Sequence, residues 1–318
     1  DHFCMSVVKT KHSRKEALPY RMVYIHDTVT LAENAGLAEA FFDLYEHPHN
    51  FPDPDEREPR ENIFGRIQTG SGDPFTHLIA YCIGDAVKAG VIAEFYPQSS
   101  CILLTYIFVE KSLRGKGVAS KLIRSEEGVP GLIKLIENKH GKQVQAVFFE
   151  TNNPKETPPG TDSMDPAQRL LHFYSLGGKR LDLKYVQPPL DHGLGSVTNL
   201  FLCLFPHLTG LAFVVPTEVV MRFLAEFYYS LRPFHVLAKT NADAFLHDLE
   251  EALDREKKAP DFLVPELQDM YRDLQQKQYE EITGYQYLHE LPRIEEPRLM
   301  FERAAVAFEF VVDESYFE

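Results

Sequence analysis

Tryptophan is absent from this 318-residue chain and cysteine is scarce: Cys4, Cys82, Cys101 and Cys203 lie far apart. Such scattering supplies neither a disulfide framework nor metal-ligand spacing, so the four read as buried thiols in a reducing cytoplasm. Thirteen histidines contain no His-Glu-x-x-His unit, and no metal is expected. Long apolar runs are missing too. The strongest, Leu200 to Val215, is interrupted by Pro206 and His207, and no charged-then-apolar leader stands at the start, so neither a membrane span nor a secretory signal is expected. Basic residues are in deficit, 33 Lys and Arg against 47 Asp and Glu, for a formal charge of -14. This argues against a general nucleic-acid binder, which needs a basic face. It suits a cationic substrate, and equally a surface that is acidic only for solubility.

What is present centres on Cys101 to Ile123, CILLTYIFVEKSLRGKGVASKLI. A β-branched, aromatic and aliphatic run from Ile102 to Val109 passes through the polar turn Glu110 to Leu113 into Arg114-Gly115-Lys116-Gly117. Apolar positions then recur at helical spacing. The pattern predicts strand, glycine turn and helix. The turn suits an anion, because the first N–H groups of a helix lack internal partners and lie at the positive end of its dipole. Arg114 and Lys116 add full charges, and a phosphate or pyrophosphate would be held there. The same residues also describe an ordinary loop with basic side chains in water. Neither nucleotide signature applies, since Walker spacing and the Rossmann Gly-x-Gly-x-x-Gly pattern are both lacking.

Arg114-x-x-Gly117-x-Ala119, preceded by a strand ending in Val109, resembles the acyl-CoA signature of the GNAT superfamily of N-acyltransferases. A second stretch in the same order strengthens the resemblance. Gln145 to Asn153 reads as a strand with a polar end, and Ala167 to Gly178 looks like the family's tyrosine helix and turn. Gly178 departs from the pattern, standing where the family usually has Phe, and a Pro-rich insertion, Pro154 to Pro166, separates the strand from the helix. The resemblance implies an α/β fold: a mixed, mostly antiparallel sheet flanked by helices. It covers residues 1–208 as an acyl-CoA-binding domain and leaves 209–318 as a helical extension ending in a strand.

Taken in order, the residues fit that plan. Phe3 to Val8 and Arg21 to Ile25 are strand candidates; Asp27 with Thr28 or Thr30 caps a helix over Leu31 to Tyr45. His47 to Asp73 is a polar loop with a short turn at Asn62 to Ile67. Phe75 to Ile83 and Lys88 to Tyr96 form a hairpin about Gly84-Asp85. The helix after Gly117 is interrupted at Gly128 to Gly131, with Pro130 at the first turn of a second segment. Lys179 to Gln187 and Val197 to Phe205 are the closing strands. Beyond them come helices from Thr217 to Tyr229, from Asn241 to Arg255 and from Pro265 to Ile282, then a strand over Ala305 to Val312. This extension carries no catalytic signature; its expected roles are covering the acceptor site or forming a homodimer.

The resemblance also implies a site. Backbone N–H groups of Arg114, Gly115, Lys116, Gly117, Val118, Ala119 and Ser120 would take the CoA pyrophosphate. The strand edge at Phe108 and Val109 would pair with the pantetheine, as a peptide joins a sheet edge, with Asn153 as a further contact. Tyr174 is the implied general acid for the departing thiolate and Glu150 the implied base, with Glu94 its rival. Read from the residues alone, Tyr174 is also a helix aromatic, each carboxylate a strand-end side chain, and Asn152 and Asn153 turn formers. The activity expected is acetyl-CoA-dependent transfer to a primary amine. The alternative is a domain of the same fold that binds acyl-CoA without transferring it.

Overall fold

A computed structural model of the chain describes residues 20–51, 57–70, 74–125, 129–157, 165–190, 195–211, 214–231, 265–276 and 285–290. The strand expected over Phe3 to Val8, the helix over Asn241 to Arg255 and the strand over Ala305 to Val312 fall outside them. The architecture is mixed α/β. Among the described residues, nine strands form one open sheet in the order β1-β2-β3-β4-β5-β7-β6-β9-β8. Every pairing is antiparallel except that of β4 with β5.

The first half follows local sequence closely. β1 (Tyr20–Ile25) pairs with β2 (Phe75–Ile83), which turns through Gly84-Asp85 into β3 (Ala86–Tyr96). Gly84 takes φ +59, which suits a residue without a Cβ. Between β1 and β2, Asp27 closes a capping box with Thr30 at the start of α1 (Thr28–Glu33). The helix predicted over Leu31 to Tyr45 breaks at Asn34, and α2 (Ala35–Tyr45) buries Ala38, Phe41, Phe42 and Tyr45 against the sheet. The short turn expected at Asn62 to Ile67 is instead a ten-residue helix, α3 (Arg60–Thr69), held by only two buried apolar residues, Ile63 and Ile67. Gly90 on β3 lets Phe41 and Phe108 close over the strand, since a Cβ there would lie 2.3 Å from one ring and 2.5 Å from the other.

β4 (Cys101–Val109) ends in a 3-10 turn and the glycine turn, then α4 (Val118–Ile123). α4 is only six residues long. The chain resumes at α5 (Leu132–His140) with Gly131 as its cap, so Pro130 stands before the helix instead of in its first turn. β5 (Ala146–Asn152) and α6 (Pro166–Ser175, capped by the Asp165 side chain) follow. The closing strands are shorter than predicted: β6 is Lys179–Leu181 and β7 is Leu200–Leu204, with Gln187 and Val197 joined by an isolated bridge.

The extension continues the same sheet. β8 (Val214–Pro216) and β9 (Tyr285–Glu290) pair with each other, and β9 pairs with β6. α7 (Thr217–Ser230), with Pro216 as its cap instead of Thr217, and α8 (Pro265–Gln276) pack on one face of the sheet. There Phe223 stacks on Phe148 of β5 with ring centres 4.2 Å apart, and Met270 and Leu274 join the same apolar cluster. Glu226 of α7 is 3 % exposed and accepts from Gln98 N, Ser99 N and Ser99 Oγ at 2.8 to 2.9 Å, closing the β3–β4 turn. α4, α5 and α6 cover the opposite face. At the foot of that face Tyr24 Oη meets His77 Nδ1 at 2.9 Å, and His77 Nε2 meets His140 Nε2 at 3.1 Å, with Phe95 and Phe75 packed on the His140 ring. No helix among the described residues is long and apolar enough to cross a membrane.

Candidate functional site

The site begins where β4 and β5 part. They are paired only from Cys101↔Ala146 to Leu103↔Phe148. β5 then continues to Asn152 on β7, and β4 continues to Val109 on β3. A bulge opposite Ile92 and Ala93 inserts Thr105 at the point of divergence, which bends the strand away. Among the described residues, the β4 edge beyond Leu103 and the β5 edge beyond Phe148 face a wedge with no strand between them. An unpaired edge offers N–H and C=O groups to any extended ligand carrying amides.

At the wide end of the wedge lies the glycine turn. Residues 114–117 are exposed, and Gly115 and Gly117 adopt φ +73 and +77, a shape that substitution would strain. Arg114 N and Lys116 N bond within the turn, to Lys111 O and Leu113 O. The amides of Gly117, Val118 and Ala119 make no backbone hydrogen bond among the described residues. Arg114 itself braces the turn: its Nε donates to Val109 O at 3.1 Å, and its Nη2 to Asn50 Oδ1 at 2.8 Å and to His49 O. A cavity of about 440 Å³ adjoins it, between Leu44, His47 and Asn50 on one side and Glu110, Lys111 and Ser112 on the other. Phe108 turns its ring into the core against Phe41, so what it can present to the wedge is backbone.

α6 borders the other wall. Arg124 at the end of α4 donates to Leu176 O at 3.2 Å, tying the two helices, and the charge of Arg114 adds to burial in holding His172 below its usual pKa. Phe173 stacks on Phe149 at 4.3 Å, and Tyr174, one residue on, faces outward with 38 % exposure. Gly178 is explained by the same stack: a Cβ there would meet Phe149 at 2.8 Å, so no larger side chain fits. Asn153 is engaged in the turn after β5, its Oδ1 accepting from Lys155 N at 3.2 Å.

Beneath the wedge, on the side of α3 and α7, sit two carboxylates. Glu150 of β5 accepts from Tyr185 Oη at 2.6 Å and from Gln187 Nε2 at 2.9 Å to each oxygen. Glu94 of β3 accepts from Tyr96 Oη at 2.8 Å and lies 3.4 Å from Arg66, which also grips both oxygens of Glu58. Burial pushes Glu94 above the ordinary carboxylate range, against Arg66 and Tyr96. Burial likewise raises Glu150, against its two hydrogen bonds and helped by the nearby charge of Glu94. Neither is sealed: both retain partial exposure, Glu94 with 14 % of its side chain accessible. The difference, among the described residues, is that Glu94 has a cation and Glu150 has neutral donors. Tyr185 and Gln187 gave no signal in the sequence, being 35 and 37 residues from the carboxylate they hold. Among the described residues no group of three or more His, Cys, Asp or Glu side chains is placed to hold a metal ion.

No protein-family model matches the chain, and no curated protein matches it. Solved structures similar to it include a ribosomal-protein-S18-alanine N-acetyltransferase from Escherichia coli (10% identity, 59% of this chain and 93% of that one, TM-score 0.36). Another is the catalytic domain of a Tetrahymena histone acetyltransferase in complex with coenzyme A (11%, 58% and 93%, 0.33). A third is a GNAT family acetyltransferase from Elizabethkingia anophelis with acetyl-CoA bound (10%, 52% and 88%, 0.31). By its own strand order, the parting of β4 from β5 and the glycine turn that follows β4, this chain has the GNAT-like α/β architecture that its sequence motifs resemble.

Proposed function

We propose that this protein is an acetyl-CoA-dependent N-acetyltransferase that passes the acetyl group directly to a primary amine in a ternary complex. The observation that carries the reading is the wedge between β4 and β5, open along an unpaired strand edge and ending at an exposed glycine turn. Amides of Gly115, Gly117, Val118, Ala119 and Ser120 take the pyrophosphate in the manner of a backbone nest, while those of Arg114 and Lys116 hold the turn. Backbone groups of Phe108 and Val109 pair with the pantetheine, and Asn153 marks the far wall. A strand N–H polarises the thioester carbonyl.

The amine enters from the face of Glu150. An ammonium ion beside a raised, cation-free carboxylate is favoured by charge, and a carboxylate with raised pKa is a better proton acceptor near neutrality. Glu150 first takes a proton from the ammonium ion. The freed nitrogen lone pair attacks the carbonyl carbon, the C–S bond breaks, and the thiolate takes the phenolic proton of Tyr174. The second nitrogen proton returns through solvent to the Tyr174 phenolate, leaving amide, CoA thiol and protonated Glu150. The net charge of -14 is consistent with a cationic acceptor.

The test is calorimetric titration with acetyl-CoA, beside CoA lacking its 3′-phosphate and free ATP. Binding of acetyl-CoA with little response to ATP is expected, and no binding would overturn the reading. Binding without transfer to any member of a panel of primary amines would favour an acyl-CoA-binding role in its place.

A further inference from the structure

The residues that hold Glu150 are themselves held by the C-terminal extension. Tyr185 and Gln187 belong to the segment between β6 and β7, which has almost no ladder of its own. Its backbone is fixed by Gln187 N to Val197 O at 2.8 Å and the reciprocal bond at 2.9 Å. The remaining supports come from elsewhere. Tyr228 of α7 donates its hydroxyl to Val186 O at 2.6 Å, the carbonyl between the two residues in question. Asp273 of α8 accepts from Lys184 N at 3.1 Å.

From this geometry we infer that Tyr185 and Gln187 are positioning residues for Glu150, and that α7 and α8 act on the site through them. The inference rests on reading Glu150 as the base. Glu150 has three hydrogen bonds from two neutral donors and, among the described residues, no cation in contact, so its orientation depends on those donors. Gln187 reaches both carboxylate oxygens and fixes the plane of the group. Tyr185 gives the shorter bond and stays a donor, because burial and the adjacent carboxylate push its phenol well above the usual value. Bonds donated to a carboxylate favour its ionised form. They therefore oppose the rise that burial imposes, and keep a buried base able to ionise.

Infrared titration of the full chain, following the protonated-carboxyl stretch with Glu150→Gln as the subtraction reference, reads this directly and needs no substrate. Tyr185→Phe removes one donated bond and should move the Glu150 titration upward by about one pH unit. Gln187→Met should move it in the same direction, and Tyr228→Phe, which loosens the segment without touching Glu150, by less. Titration unchanged in both Tyr185→Phe and Gln187→Met, with native circular dichroism, would overturn the proposal. Should Tyr185→Phe fail to fold, Gln187→Met decides alone; should both fail, Tyr228→Phe decides, with an unmoved titration counting against the role of α7. Calorimetry separates this from the activity. A chain that shows the shift but binds no acetyl-CoA fails as a transferase and keeps the clamp, while one that binds and transfers without the shift loses only the clamp.

Discussion

Two polar clusters lie on opposite faces of the same sheet, and they resolve the cost of burying polarity in different ways. At the foot of the α5 face, Tyr24, His77 and His140 bond to one another, and His77 is fully buried. Burial holds His77 well below its usual pKa and His140 at about 4, with the charge of Lys139 acting in the same direction on both, so the rings are neutral. On the other face, Glu94 and Glu150 are pushed upward, remain partly exposed and lie under the wedge. The first cluster satisfies itself and packs a helix to a sheet. The second lies beside an opening, and within it only Glu94 has a cation, Arg66, among the described residues. Burial alone therefore does not single out a candidate; burial with access does.

The largest expected effect that would break this contrast is on transfer. Glu150→Gln should lower turnover by about a hundredfold or more, the range typical of a lost general base, with acetyl-CoA affinity kept. Tyr174→Phe should lower it less and also spare affinity. Turnover at the native level in Glu150→Gln would place the two clusters on the same footing. Next in size is a loss of stability from Glu226→Ala, which strips three hydrogen bonds from a buried turn. About 3 kcal/mol is expected from donors left unsatisfied, measured by urea unfolding; a loss under half of that would mean the turn finds other partners. Smallest is an acid slope from the histidines. Their folded pKa values are depressed, so the unfolded chain binds more protons once pH falls below about 6.5. Stability should be flat above that point and decline toward pH 4, where the folded His140 also titrates. His140→Phe should flatten part of the decline in a series of thermal melts, and an unchanged slope would refute the neutral assignment.

Much of this was legible because it is local. β2 spans the predicted residues, its hairpin turns at the predicted Gly84-Asp85, and the glycine turn follows β4 as expected. The misjudged pieces share a cause, which is that distant partners made them. α3 has only Ile63 and Ile67 to show for a core face, and is secured by Arg60 and Arg66 reaching Glu46 and Glu58. β9, Tyr285–Glu290, carries no strand expectation from its sequence; it forms by joining β6 and β8, whose paired residues lie between 69 and 111 positions away along the chain. In the site, Glu150 and Glu94 could be proposed from strand positions, but which of them has a cation depends on Arg66, on a helix read as a loop. The glycine-turn residues were visible as a motif, while the bracing of Arg114 by His49 and Asn50 needed the fold.

The carboxylate of Glu226 reaches back 127 residues to Ser99. In a chain made from its N-terminus, the β3–β4 turn emerges long before the helix that satisfies it, with the amides of Gln98 and Ser99 directed at a group not yet synthesised. Contacts of such span are slow to form, since loop closure must precede them. This corner of the sheet is therefore completed only once α7 has docked.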